Sequence, residues 1–216
     1  MPHVFVEYFQ ASEDYSINFY FSSISRVLRI LCFIITISVP AVFIALITYD
    51  QEMVPTPLLI SIAASRQNVP FPSAIELILL LLVFDILRET GIRMPSFIGE
   101  ALSVVGALVV GTAAVDARFV SAPMVIIAAL AGITELGTTR LQGASILLRL
   151  VFIFLASILG LYGFIFGVIG LLIHLYSMRS FGVPYMQNLM NLNPEDIIDT
   201  AIRAPWPYMK FRQNFI

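Results

Sequence analysis

The stretch IELILLLLVFDILRETG, residues 75–91, places acidic side chains in and against an apolar run. As an α-helix, residues 75–87 would rise about 20 Å, whereas the hydrocarbon core of a bilayer is about 30 Å thick. Glu76 stands near the start of the run, and Asp85, Arg88 and Glu89 stand near its end. Ionised side chains at membrane depth are costly and are usually kept where they face a partner, a cavity or an ion pathway. The stretch therefore predicts a short membrane helix with charged ends.

The composition of the whole chain is that of an integral membrane protein. Of its 216 residues 59% are hydrophobic and 12% are charged, whereas charged residues make up about a quarter of a soluble domain. The net charge of −2 and the lack of a basic patch exclude nucleic acid as a partner. One cysteine, Cys32, and two distant histidines, His3 and His174, cannot form a disulfide or build a metal site alone. We expect no metal and no cofactor.

Apolar segments predict an all-α fold, a polytopic membrane helical bundle with four to five spanning helices plus broken or re-entrant short helices. Besides residues 75–87, the predicted spans are residues 30–48, 97–115, 119–134 and 150–175. Pro40 predicts a kink in the first of them. Prolines at positions 55, 57, 70 and 72 interrupt residues 49–72, so this segment is predicted to be broken.

The polar parts of the chain lie at its two ends. Residues 1–25 are acidic and aromatic, and we interpret them as the remnant of a soluble N-terminal region. Residues 26–178 form the predicted transmembrane domain. Residues 179–216 form a polar tail, with a short helix predicted to begin at Asn193 and Pro194, followed by aromatic residues suited to the membrane interface.

The side of the membrane on which this tail lies depends on residues 75–87. If they cross the bilayer, Lys and Arg divide six to six between the two sides, and the C-terminus lies outside. If they do not cross, seven of these residues lie inside and the tail is cytoplasmic. So small a difference does not decide the topology, although it favours the second arrangement.

Small residues form stripes on two predicted helices. In the last span the stripe comprises Ala156, Gly160, Gly163, Gly167 and Gly170. Gly106 belongs to a similar face in residues 97–115. Such stripes indicate close packing against another helix more often than an ion conduit.

The charged residues within the apolar segments are the candidates for an ion path or another polar function in the membrane: Glu76, Asp85, Glu100, Asp116 and Arg66. Helical spacing predicts local ion pairs between Asp85 and Arg88 and between Glu89 and Arg93. Glu76 and Glu100 have no partner nearby in sequence, so they are the residues we assign to an ion or polar path. The alternative is that each is hydrogen-bonded to a neighbouring helix and serves only packing.

Several motifs in fixed order carry a family resemblance. They are EMVPTPLLISIAASRQNVPFPSAIE (52–76), FDILRETGIRMP (84–95), IGEALSVVGALVVGTAAVDARFVSAPMV (98–125) and HLYSMRSFGVPY (174–185). These stretches resemble the A subunits of bacterial spore germinant receptors, the GerA family. The resemblance implies a non-enzymatic protein of the spore inner membrane that works with a transporter-like B subunit and a lipoprotein C subunit. It also implies nutrient sensing, germination and an oligomer around an ion-conducting pore.

The chain departs from the family pattern in three respects. One is the stretch ITELGTTRLQGAS (133–145), which does not follow the usual pattern. Family members carry a large soluble region before the first span, so we expect this chain to be a fragment or a split gene product. Glu100 and Thr112 stand where the family usually has glutamines.

Two other functions remain open, a secondary-transporter-like component and a non-conducting scaffold. A transporter is expected to show an internal repeat, and none is convincing here. The sequence has no nucleophile elbow, phosphate loop or zinc spacing, so we expect no enzyme.

Overall fold

A computed structural model describes residues 5–93, 106, 109, 111–180 and 182–186. Its helices are α1 Phe19–Thr48, α2 Thr56–Arg66, α3 Ser73–Arg93, α4 Ala122–Leu136 and α5 Gln142–Ser177, and residues 111–116 are also helical. Short 3-10 helices occupy Phe5–Phe9, Ser12–Tyr15, Gln51–Met53 and Thr139–Leu141. After α5, β1 Arg179–Ser180 pairs antiparallel with β2 Val183–Pro184. The predicted all-α class is confirmed.

Helix α1 is the element on which α4 and α5 pack. It has 30 residues and begins at Phe19, earlier than the boundary expected at residue 26, and the side chain of Asn18 caps its first turn. It continues through Pro40. Its buried residues include Phe33, Ile37, Ala41 and Ile44, at helical spacing along one face. This face packs against α4 and α5.

The proline-rich segment is broken, as expected. Pro55 is the N-cap of α2, and the helix ends at Arg66, before the prolines at positions 70 and 72. Helix α3 then runs for 21 residues, about 30 Å, so it is longer than the apolar run 75–87 alone predicts. The extension is possible because charged residues near its C-terminal end are paired with other helices, as described below.

The last predicted span, residues 150–175, is interrupted at Gly160. Gly160 has φ 63° and ψ −144°, and the helical path reverses there. The ring centroids of Phe152 and Phe164 are 5.6 Å apart, whereas a straight helix would separate these residues by about 18 Å. Helix α5 is therefore a hairpin of two halves, residues 142–159 and 161–177.

The end of α1 holds this reversal in place. The Tyr49 hydroxyl donates a hydrogen bond to the Ser157 carbonyl oxygen at 3.1 Å. Asp50 Oδ2 accepts the backbone N–H of Leu161 at 3.1 Å, which caps the second half of α5. A Cβ at residue 160 would lie 3.0 Å from Tyr49 Cβ, and the positive φ is strained for any other residue. Glycine is therefore required here by both space and backbone conformation.

The glycine stripe faces the first half of the same helix. A Cβ at Gly163 would lie 2.2 Å from the Leu155 carbonyl oxygen. A Cβ at Gly167 would contact the side chains of Leu155 and Phe152 at 3.1 and 3.2 Å. A Cβ at Gly170 would meet nothing within 4 Å. The close backbone contact expected of the stripe is made within α5, at Gly163 above all.

Contacts between helix ends define two ends of the bundle. At the Gly160 end, where Tyr49 and Asp50 lie, the hydroxyls of Thr48 and Ser73 are 3.3 Å apart. At the opposite Phe5 end, the N–H of Phe5 donates to the Tyr185 carbonyl oxygen at 3.1 Å. The described residues that precede α1 and those that follow α5 thus lie at the same end. Helix α5 returns to the Phe5 end because it reverses at Gly160. Helix α3 runs the full length between the two ends.

Two stretches of the described residues are long and apolar enough to cross a membrane, Phe19–Thr48 and Thr139–Ser177. Ala122–Leu136 is apolar but shorter. The second stretch contains the Gly160 reversal, so its two halves are each about 26 Å long. Length and composition support two of the four to five expected spans. Residues 97–105 of the span predicted at 97–115 lie outside the described residues.

The N-terminal segment docks onto α1 through an aspartate. Asp14 is buried, pairs with Arg29, lies 3.7 Å from Arg26 Nε and accepts the N–H of Ala11 at 3.1 Å. Burial alone raises the pKa of Asp14, but the hydrogen bonds from Arg29 and Ala11 and the two positive charges outweigh it and lower that pKa below 3.8. The ionised carboxylate therefore stabilises the docked segment.

We predict that Gly163→Ala destabilises the protein by about 1–3 kcal/mol, because a new methyl group would overlap the Leu155 carbonyl. Gly170→Ala is the matched control in the same helix half, and we expect it to be neutral or slightly stabilising. Thermal unfolding of the purified protein in detergent measures both. Equal midpoints for the two variants would contradict the hairpin.

We also predict that Asp14 contributes a pH-dependent part of the stability. Its folded pKa is depressed, so this contribution is present above pH ~4 and is lost as the pH falls through the folded pKa. Asp14→Asn should cost about 1–3 kcal/mol at neutral pH and nothing in strong acid. The measurement is the unfolding midpoint of both proteins against pH. A gap that stays constant down to strong acid would refute the ion pair.

Candidate functional site

Four charged side chains from three helices meet between the bundle centre and the Phe5 end. Asp85 and Arg88 come from α3, Glu135 is near the C-terminus of α4, and Arg149 lies in the first half of α5. We call these four residues the charged ring.

The ring is closed by direct hydrogen bonds. Arg88 Nη2 donates to Asp85 Oδ1 and to Glu135 Oε2, both at 2.8 Å. Arg149 donates from Nη1 to Glu135 Oε2 at 2.9 Å and from Nη2 to Asp85 Oδ2 at 2.7 Å. The Ser145 hydroxyl donates to the other oxygen of Glu135 at 3.3 Å. Each acid thus contacts both arginines.

The ring is neutral and largely removed from solvent. The Glu135 side chain is 0% exposed and that of Arg149 1% exposed, whereas Asp85 keeps 21%. Two carboxylates and two guanidinium groups balance each other, which is the arrangement that makes buried charge tolerable. The ring ties α3, α4 and α5 together and fixes their relative positions along the bundle.

Helical spacing in the sequence predicts only one of the ion pairs in this ring. The predicted pair between Asp85 and Arg88 is confirmed. Glu135 and Arg149 were not predicted as partners, because their distance along the chain from α3 hides the contact. The available signal was that each adjoins an apolar run, so each needs an opposite charge from another helix.

Glu76 lies at the other end of α3 and is fully buried. Its Oε1 accepts two hydrogen bonds from Ser121, from the backbone N–H at 2.5 Å and from the hydroxyl at 2.7 Å. Ser121 is the N-cap of α4, and Glu76 is in the first turn of α3. The carboxylate therefore lies at two helix N-termini, where the helix dipoles favour a negative charge.

Arg66 is the positive charge facing this carboxylate. Its Nε lies 3.7 Å from Glu76 Oε2, and its side chain is 22% exposed. Neither of these two atoms has a hydrogen-bond partner among the described residues. The pair is thus looser than any in the charged ring.

The remaining predicted residues are spread over the chain. Asp116 is exposed at the end of the helical residues 111–116, and a Cβ at Gly106 would lie 3.2 Å from Leu87 Cδ2. Glu100 and the side chain of Arg93 lie outside the described residues. Within the described part of the chain, no group of three or more His, Cys, Asp or Glu residues could hold a metal ion.

We predict that Arg149→Met destabilises the protein by about 3–5 kcal/mol, because it leaves Glu135 and Asp85 with one guanidinium between them. Adding Glu135→Gln should recover part of this loss, since the second change removes the surplus negative charge. Arg140→Met, at an exposed position, is the control and should stay within ~0.5 kcal/mol. Titration of the unfolding by a denaturing detergent measures all three. Strict additivity of the double variant would exclude the coupling.

Comparison with known proteins identifies the family of this chain. A family model described as Bacillus/Clostridium GerA spore germination protein matches residues 1–215. Spore germination protein KA of Bacillus subtilis (strain 168) is 45% identical over 207 residues, which are 95% of this chain and 38% of that protein. Spore germination protein GerLA of Bacillus cereus is 37% identical over 220 residues, which cover all of this chain and 44% of that protein.

A further relative, the uncharacterized membrane protein YfkQ of Bacillus subtilis (strain 168), is 43% identical over 95% of this chain and 40% of its own length. No solved structure matches the chain. The chain spans about two-fifths of the length of these relatives. Since the family model covers residues 1–215, the resemblance found in the sequence motifs is confirmed, and the chain belongs to the GerA family of spore germination proteins.

Proposed function

We propose that this chain is the membrane region of an A subunit of a spore nutrient germinant receptor, and that it contributes to an oligomeric ion-conducting pore which triggers germination. Membership of the GerA family supports the receptor role. The single observation that carries the conducting role is the buried carboxylate of Glu76, since such groups in membrane proteins mark ion and proton pathways.

The surface of the bundle supports a location in a membrane, which we propose is the spore inner membrane. Large apolar side chains are exposed along α1, α4 and α5, among them Leu31, Ile34, Ile126, Ile133, Phe154 and Phe166. A soluble monomer rarely exposes so much contiguous apolar surface. Lipid tails and neighbouring subunits would cover it.

The described residues before α1 and those after α5 share one end of the bundle, where a further region of the receptor would be joined. A soluble region joined before residue 5 would lie at the Phe5 end, beside the β1–β2 pair. In that position a soluble region could bind a nutrient and act on α1 through the docked segment around Asp14. A transporter-like B subunit and a lipoprotein C subunit complete the receptor that we propose.

A groove offers a surface for contact between subunits. It has a volume of about 470 Å³ and is bordered by Leu82, Asp85 and Ile86 of α3 and by Ile146 and Leu150 of α5. Its walls are mainly apolar, and its polar lining residues are Asp85 of the charged ring, Glu89, Thr90 and Gln142. A helix of a second copy is the occupant that an oligomer would supply.

One contact favours the alternative function, a non-conducting scaffold. Glu76 is hydrogen-bonded through Oε1 to Ser121 of the neighbouring helix, which is what a packing role requires. In that case glutamine at position 76 would keep a hydrogen bond and change little. The two functions therefore differ in their need for the charge.

The test compares Glu76→Gln and Glu100→Gln with the control Glu52→Gln, at an exposed position outside the groove, in spores that carry the complete receptor. Loss of a charge interaction of ~1.4 kcal/mol in the path changes a rate about tenfold. We expect nutrient-triggered potassium release to fall by about that factor in the first two variants and to stay unchanged in the control. Unchanged release in the first two, with normal complex abundance on immunoblots, would leave the scaffold as the function.

A further inference from the structure

The carboxylate of Glu76 is satisfied on one oxygen only. Oε1 accepts both hydrogen bonds from Ser121, whereas Oε2 has no hydrogen-bond partner among the described residues. The residue is 0% exposed. A buried carboxylate oxygen in this state is costly unless a positive charge lies close to it. Oε2 is therefore a position at which a cation is stabilised.

In the described structure that cation is the guanidinium of Arg66, held at a long distance. The separation of 3.7 Å between Arg66 Nε and Glu76 Oε2 exceeds the 2.7–2.9 Å typical of a charge-assisted hydrogen bond. Arg66 thus supplies charge without a direct hydrogen bond from Nε. The arginines of the charged ring, in contrast, donate hydrogen bonds to their carboxylates at distances of 2.7 to 2.9 Å.

Helix α2, which carries Arg66, is weakly attached to the bundle. Of its 11 residues only Ile62 is buried, and Arg66 is the last residue of the helix. A cavity of about 130 Å³, lined by Ile47, Gln51 and Val54 on one side and by α2 on the other, lies beside Arg66. The cavity and the partial exposure of the side chain give Arg66 room to leave Glu76 at little cost in packing.

We propose that Glu76 and Ser121 form a monovalent-cation site that Arg66 closes as an internal, displaceable counter-ion. When Arg66 moves away with the end of α2, a cation binds Glu76 Oε2 and the lone pairs of the Ser121 hydroxyl. One carboxylate and one hydroxyl suit a singly charged ion, whereas a divalent ion needs more oxygen ligands and more negative charge. The link between this site and ion passage rests on the function proposed above.

The direct test measures cation binding by the purified full chain in detergent, without any transport. Unfolding midpoints are compared in potassium, sodium and choline chloride at equal ionic strength and alkaline pH. In Arg66→Gln the site is open, and we expect potassium or sodium to raise the midpoint by about 3–6 °C over choline at roughly ten times the dissociation constant. Arg140→Gln, which removes an exposed arginine, should respond as the wild type does.

Two further variants keep this test decisive. Ser121→Ala in the Arg66→Gln background should reduce the potassium-dependent shift, and Glu76→Gln in that background should abolish it. Arg66→Met replaces Arg66→Gln if the latter does not fold. Equal midpoints in the three salts for a folded Arg66 variant, or a shift that persists in Glu76→Gln, would overturn the proposal.

Spores that carry the complete receptor separate the site from the receptor function. With the site open, Arg66→Gln should raise potassium release in the absence of nutrient, and Glu76→Gln in the same background should restore the low rate. If Arg66→Gln binds cations in detergent yet spores show no change in release, the cation site is supported and the conducting function is contradicted.

Discussion

A charge that is taken out of water needs an opposite charge or a full set of hydrogen bonds, and this constraint organises the bundle. The charged ring meets it by bringing Asp85 and Arg88 of α3 together with Glu135 of α4 and Arg149 of α5. Apolar contacts are non-directional, so by themselves they leave the three helices free to shift along one another. The ring removes that freedom, because a shift of one helical turn would separate partners by about 5 Å.

Gly160 imposes a second constraint, on the direction in which the chain runs through the bundle. Its positive φ converts what would be one helix of 36 residues into a hairpin, and Tyr49 and Asp50 of α1 close the turn. The first half of α5 carries Arg149 into the ring. The second half returns the chain to the Phe5 end, where the N–H of Phe5 meets the carbonyl of Tyr185. The segment before α1 and the segment after α5 are thereby neighbours, which gives any soluble region joined there access to both.

The sequence predicts those features that depend on residues close together along the chain. The break around the prolines 55–72 and the pair between Asp85 and Arg88 follow from local sterics and helical spacing, and both are present. The reversal at Gly160 was missed because the flanking residues form one uninterrupted apolar run with no polar loop. Glycine in such a run indicates helix packing as readily as a turn, and only the cap from Asp50 distinguishes the two.

The partners of the buried acids were missed for a different reason. Glu135 lies 47 residues from Arg88, and Ser121 lies 45 residues from Glu76. No periodicity within one helix reports a contact over such a separation. Composition does carry part of the information, since an apolar bundle that retains acids must also retain bases at matching depth. The composition indicates how many basic partners are needed. The helix register then determines which residues those partners are.

Glu76 and Glu135 differ in how completely their carboxylate oxygens are hydrogen-bonded. Both are 0% exposed, so the desolvation cost is alike. Glu135 has hydrogen bonds on both oxygens, from two arginines and a serine. Glu76 has hydrogen bonds on one oxygen, and on the other it has a guanidinium nitrogen at 3.7 Å. The half-satisfied state of Glu76 is the physical reason for the cation site that we propose.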